Sequence, residues 1–306
     1  MTEIARDQKL PTLDPKLDVV FTFLFGAERN RHLLVALLES VLRPVAPIAS
    51  IDLLPPRPDV EDVDEKSVFL DLRIRLDSGE QVDVEMQTRR HPALRERVLF
   101  YWARLYTSQL HHRDRYPSLQ RCIVILIANF IELDGPEFHS VFQVLDRKRQ
   151  RLFSPTLELH LLELPKLSNL APADEPQLAA WCRFLSADTD EQREILAMQH
   201  SFLKDAKQAL DDLSADPQVR EAAIRRELEL HLREYDKAVT RQQGLDEGRQ
   251  QGLAEGMRRS LARLLVLKFG PCTTEAQDRL QNATPEELEL WLERAVAATT
   301  LESVFH

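Results

Sequence analysis

From Val68 to Gln87 the chain alternates apolar and polar residues on both sides of Asp77-Ser78-Gly79. A period of two places alternate side chains on opposite faces of an extended strand, so this stretch predicts two strands of one hairpin. Val68, Leu70, Leu72, Ile74 and Leu76 form the apolar set of the first strand, and Val82, Val84 and Met86 that of the second. A one-residue slip in register would put one set in water, so the loop length is constrained. A two-residue Ser78-Gly79 loop pairs Asp71 with Met86 and mixes the faces. A three-residue loop with Gly79 in the left-handed region restores agreement. That register sets Asp71 opposite Glu85 and Arg73 opposite Asp83, with Gln87 two residues further along the same face.

Like charges directly opposite destabilise a strand pair. Arg73 and Asp83 offset each other, but Asp71 and Glu85 have no evident basic partner on their strands. Either an arginine from elsewhere or a divalent cation must reduce that repulsion. Mg²⁺ is commonly held by one or two carboxylates together with substrate phosphates, and it acidifies water and stabilises charge on a phosphodiester.

The surrounding pattern predicts a helix over 18–42, a short strand at "IDLL" and an acidic, proline-rich connector through residue 66. After the hairpin come a helix over 92–112, a buried strand at "RCIVILIANF" and two further strands at "HSVFQVLD" and "TLELHLLEL". Beyond residue 170 the apolar spacing is helical. The fold class expected is α/β, a mixed central sheet flanked by helices, with an all-helical C-terminal extension. Its expected parts are a core over 1–170, a helical region over 171–241 and a C-terminal helical bundle over 242–306. Thr284-Pro285-Glu286-Glu287 predicts a capping box with proline in the first turn.

The net charge of −10 argues against a polyanionic partner only if the charge is uniform. It is not. Most of the acid excess follows residue 170, whereas 89–115 holds seven arginines against Glu96 and Asp114. Helical spacing puts Arg97, Tyr101, Arg104, Ser108 and His111 on one face, which suits either phosphate contacts or a solvated surface. Gly244, Gly248, Gly252 and Gly256 recur every fourth residue. On a helix each costs about 1 kcal/mol relative to Ala, a cost that close packing against another helix, in the same chain or a second copy, would offset. No residue run is long and apolar enough to span a bilayer. The N-terminal residues carry charges of both signs, and Cys122, Cys182 and Cys272 are isolated. The expectation is a cytoplasmic protein without a membrane partner.

Several of these stretches together resemble the PD-(D/E)XK nucleases, and among them the Rpn family of recombination-promoting nucleases and putative transposases. "DVVFTFLFG" resembles that family's D-x-x-F-K-x-x-F-G at Asp18, Phe21, Phe25 and Gly26, and "VEMQ" resembles its I-E-x-Q. "RVLFYWARLYTSQLHHRDRYPSLQRCIVILIANF" resembles its R-x-x-x-Y helix and following strand. The similarity spans roughly residues 12 to 165. It implies a Mg²⁺-dependent DNA endonuclease of low sequence preference, with Mn²⁺ a possible substitute, associated with recombination or mobile elements. On the matching positions, Asp71 and Glu85 would be catalytic metal ligands, Gln87 would position water and Asp18 would be an additional metal-site acid. Arg97, Tyr101 and Arg104 would contact DNA. Thr22 stands where the family has Lys and cannot supply that charge. An alternative on the same fold is a catalytically weak DNA-binding or protein-interaction module. The C-terminal helices are the expected place for homo-oligomerisation.

Overall fold

A computed structural model describes residues 11–55, 72–110, 115–167 and 175–306 of the chain. The described residues divide into two compact units, Met1–Leu228 and Glu229–His306. Asp71, the acidic connector, His111 and His112 lie outside the described residues.

The first unit begins with α1 (Asp18–Gly26) and α2 (Arg31–Leu42), separated by a short 3₁₀ turn. A single helix over 18–42 was expected, and the chain breaks it between Gly26 and Arg31. Ala27 is extended at φ −71°, ψ 135°, and the buried Asn30 amide donates to Leu24 O at 2.7 Å, taking a carbonyl that a continuing helix would use. The break lets Gly26 approach the sheet, where an added Cβ would sit 3.0 Å from the Leu72 side chain. Val20, Phe21, Leu24 and Phe25 of α1 are fully buried.

Strands β1 (Ile51–Leu53), β2 (Leu72–Leu76) and β3 (Gln81–Gln87) follow, then α3 (Leu94–Thr107) and β4 (Cys122–Ala128). Next are β5 (His139–Asp146) and β6 (Arg151–Glu163). They form one mixed sheet in the order β1-β2-β3-β4-β6-β5, with β3, β4 and β6 mutually parallel. The apolar run predicted as a buried strand is β4, buried at every residue in the sheet centre, as fits a parallel strand covered on both faces. The hairpin register is the one its periodicity required: Leu72 opposes Val84, Arg73 opposes Asp83 and Ile74 opposes Val82. Gly79 takes φ +88°.

Helix α3 is shorter than the 92–112 expected. The Thr107 and Ser108 hydroxyls bond back to Ala103 O and Leu105 O, and the Gln109 side chain turns onto the backbone of Gln120. The chain therefore leaves the helix to enter β4.

Helices α4 (Pro176–Ser186), α5 (Asp190–Gln199) and α6 (Ser201–Ala215) add to this unit, α4 packing on α2 and α6 on α1 and α2. Trp181 of α4 is fully buried with its ring centroid 5.7 Å from that of Phe25. The division between units falls inside α7 (Pro217–Phe269). In the second unit α8 (Thr274–Asn282), α9 (Pro285–Ala297) and α10 (Glu302–Phe305) share a core of Leu261, Leu265, Leu280, Leu288 and Trp291. The capping box at Thr284 forms as expected, with Glu287 reaching back to the Thr284 N–H at 2.9 Å. The glycine ladder is helical but faces open space: a Cβ added at any of its four glycines meets nothing within 4 Å. Among the described residues of the second unit, packing therefore does not offset its cost. No helix among the described residues is long and apolar enough to cross a membrane.

Candidate active site

Residues paired across strands share a face, so the register assigns every side chain of the sheet. Leu72, Ile74, Val82 and Val84 belong to the face against which α1 packs. The opposite face carries Arg73, Gln81, Asp83, Glu85 and Gln87, continued on β4 by Val124, Leu126 and Ala128. Helix α3 covers this second face, with Leu94 and Val98 in one cluster with Val124, Leu126, Ala128 and Leu161. The Trp102 indole N–H donates to Cys122 O at 3.2 Å and fixes the far end of the helix.

The candidate acids of β3 and the basic helix are thus on one side of the sheet. Asp83 and Glu85 are 0% and 2% exposed, unusual for acids on a strand whose pattern alone suggested a polar surface. Gln87 is half-buried at the strand's end, where its carbonyl accepts from the Asn129 N–H at 2.8 Å. Arg97, Tyr101 and Arg104 are half-buried on α3. The Arg97 guanidinium carbon lies 5.7 Å from the Tyr101 ring centre, and that of Arg104 the same distance from Phe100. Arg97 also donates from Nη2 to the Tyr101 hydroxyl at 3.4 Å, so the ring both stacks against the guanidinium and holds it in place. Part of the basic stretch is committed elsewhere. Arg90 and Arg95 each bond the 6%-exposed Glu132 at 2.7 Å, tying the turn after β3 and the start of α3 to the loop after β4. Hydrogen bonding from Arg90, reinforced by Arg95, holds the Glu132 carboxyl below its usual range against the opposing effect of burial. Glu163, fully buried, accepts from the Glu132 and Leu133 N–H groups and fastens the same loop.

Asp18 has a partner that local sequence gave no sign of. Arg226, more than two hundred residues later on α7, donates from Nε to both Asp18 oxygens at 3.0 and 2.9 Å and from Nη2 to Oδ2. Asp18 also accepts from the Val19 N–H at 2.8 Å, at the positive end of α1. Only an amphipathic count along α7, with Val219 and Ala223 buried, would have brought this part of the helix against the core.

The fit to a divalent cation rests on donor chemistry. Glu85 offers carboxylate oxygens and Gln87 an amide oxygen, and Asp18 offers oxygens now engaged by Arg226. An all-oxygen set suits a hard cation such as Mg²⁺. Among the described residues no group of three or more His, Cys, Asp or Glu converges as a metal site. The third acid of the expected set, Asp71, is outside those residues.

A second buried polar cluster lies on the opposite face, on β5 and β6. His139 Nδ1 meets Glu175 at 2.9 Å, His139 Nε2 meets His160 Nδ1 at 2.9 Å, and His160 Nε2 meets Glu158 at 2.9 Å. Arg121 also bonds Glu158, Gln143 donates to it at 2.7 Å, and Arg43 pairs with Glu175 at 2.7 Å. Burial, then His160 and Arg43, push the His139 imidazole down to about 4. Burial raises the Glu158 carboxyl, but hydrogen bonds from His160, Arg121 and Gln143 outweigh it and hold it at about 2. Both groups have depressed values, so their stabilisation is complete at neutral pH. The His139 part is lost as pH falls from about 6.5 to 4, and the Glu158 part below about 4.5. We expect unfolding free energy to drop by about 2–3 kcal/mol over the His139 range. Urea midpoints at pH 7, 5.5 and 4 would measure it, and His139→Gln should flatten the upper part of that slope.

The chain belongs to the PD-(D/E)XK nuclease family transposases, whose family model matches residues 15–236. That span includes the hairpin, α3, the parallel strands and the first turns of α7 with Arg226. Neither a curated protein nor a solved structure matches the chain.

Proposed function

We propose that the protein is a divalent-metal-dependent DNA endonuclease of low sequence preference, acting in recombination or on mobile elements. The observation that carries this reading is the row Asp83, Glu85, Gln87, with its acids buried, under a helix bearing Arg97 and Arg104, in a chain of a nuclease family. Glu85 and Asp71 would hold Mg²⁺, or Mn²⁺ in its place. Asp18, at the start of the helix on the other face of the sheet, would be an additional ligand only by reaching the sheet's end and exchanging Arg226. When bound, the cation supplies a Lewis acid that stabilises charge on the phosphodiester and acidifies water. Gln87 orients the attacking water through its amide but cannot take its proton. Arg97 and Arg104 bind phosphate oxygens, with Tyr101 steadying Arg97. Three cysteines, none of them in a disulfide, fit a reducing cytoplasm. The glycine ladder, with open space beside it among the described residues, is proposed as a contact between copies.

The test is conversion of supercoiled plasmid to nicked circles with Mg²⁺, with Mn²⁺ and with chelator. Cleavage should require the metal. A second reading, a catalytically weak DNA-binding module, draws on Thr22 and on the engagement of Asp18 by Arg226. Metal-independent DNA retention without nicking would favour it. Binding and chemistry separate in one further variant. Arg97→Ala with Arg104→Ala should reduce DNA affinity about tenfold and lower the slope of log K against log salt by about 2, with unchanged Mn²⁺ affinity. An unaltered slope would return the stripe to a solvated helix face.

A further inference from the structure

The far edge of the sheet ends in a feature that the proposed site does not use. Strand β6 pairs with β4 only from Leu157 onward, so its first six residues, Arg151–Thr156, run past the end of β4 with β5 as their strand neighbour among the described residues. At about 3.3 Å per residue this two-stranded arm extends about 20 Å. Its ladder is irregular: Gln143 opposes Glu158, Val144 opposes Ser154 and Leu145 opposes Leu152. Pro155 falls in the first irregularity, where a missing N–H is tolerated. Phe153 falls in the second, out of the ladder and 83% exposed. Bulges of this kind re-aim a side chain. Val144, Leu145 and Leu152 are exposed beside it.

The turn at the tip carries Arg147, Lys148, Arg149 and Arg151, all exposed. Asp146 is the one acid there, accepting from the Lys148 N–H at 2.9 Å and pairing with Arg149 at 3.1 Å, which shapes the turn. A two-stranded ribbon is marginally stable by itself, and edge strands are normally blunted with charge rather than lined with Phe, Leu and Val. The apolar residues therefore call for a covering partner, and the cations select which kind. In a chain of net charge −10, four cations around one exposed aromatic are complementary to phosphates bordering a stack of bases.

We propose that this arm is a DNA-binding element that enters a groove of duplex DNA, its cations on phosphates and Phe153 wedged against a base step. A duplex groove admits a two-stranded ribbon, and apolar wedges partly unstack the step they meet. The longer Arg and Lys side chains reach beyond the ring to phosphates on either side. The inference rests on the DNA reading given above. From the row of Glu85, Leu126 and Leu161 to Phe153 is eight residues along β6 and two strands across, about 25–30 Å. That is a little under one turn of B-DNA, so arm and site would meet the same side of one duplex.

The experiment uses the full chain and a 30-bp duplex carrying 2-aminopurine, with anisotropy, fluorescence and light scattering as readouts. Arg147→Gln with Lys148→Gln and Arg149→Gln should weaken binding about tenfold or more near 100 mM salt and lower the salt slope by about 2–3. Phe153→Ala should remove the 2-aminopurine fluorescence rise, and Phe153→Tyr should keep it. Equal affinity, slope and fluorescence in parent and variants would overturn the arm while leaving the nuclease reading intact. A change of mass in Phe153→Ala with DNA binding unaltered would also overturn it, making the ribbon a contact between copies. A parent chain that binds no DNA would overturn both readings together.

Discussion

Replacement of Glu85 by Gln is expected to reduce metal-dependent plasmid cleavage by about 10²–10³-fold while leaving the fold in place. The size follows from the chemistry: losing a cation's stabilisation of developing charge removes several kcal/mol from transition-state binding, and about 3–4 kcal/mol corresponds to that factor. The fold should survive because Gln has the shape of Glu and the strand is held by ladders to β2 and β4 on either side. Asp71→Ala should behave alike, since the observed register from Leu72 to Arg75 is the one that periodicity extends to the Asp71–Glu85 pair. Asp83→Asn is the informative control. Asp83 is as buried as Glu85 and on the same face, but it sits opposite Arg73. Its loss should lower thermal stability and spare most of the cleavage. Calorimetric titration with Mn²⁺ supplies a readout independent of turnover: affinity should fall in the Glu85 variant and hold in the Asp83 variant. Equal cleavage by the Glu85→Gln protein and the parent would sink the metal assignment.

The hairpin shows how far period-two reasoning reaches. It fixes the register and the left-handed Gly79, because a slip of one residue would expose an apolar set. It does not show that the polar face is buried, since burial of Asp83 and Glu85 is caused by β4 and α3, which are distant in sequence. The same limit explains the α1–α2 break. Apolar spacing runs through 18–42, while the interruption comes from the Asn30 amide and from the closeness of Gly26 to Leu72. The glycine ladder was legible as a helix and not as an unpacked one, because its cost can be offset only by a surface that the ladder itself does not encode. Pro155 and Phe153 likewise read as ordinary strand residues until β6 is seen to outrun β4.

Arg226→Ala is expected to lower the melting temperature of the first unit by about 5–10 °C. Asp18 and Arg226 side chains are 21% and 13% exposed, so removing the guanidinium leaves a poorly solvated carboxylate without its cation, at about 2–3 kcal/mol. A double-mutant cycle with Asp18→Asn should return a coupling of about 2 kcal/mol, because both single variants lose the same pair. The cycle also decides what the pair is for. A guanidinium and a metal compete for the same two oxygens, so if Asp18 joins the metal site the energy of the pair is subtracted from that of metal binding. Arg226→Ala should then tighten Mn²⁺ by about tenfold or more despite the lower stability, and Asp18→Asn should weaken it. The opposite directions in stability and in metal affinity separate this from general damage to the fold. If both variants keep the parent's Mn²⁺ affinity, Asp18 is an anchor for α7 and the metal is held by Glu85 and Asp71 without it.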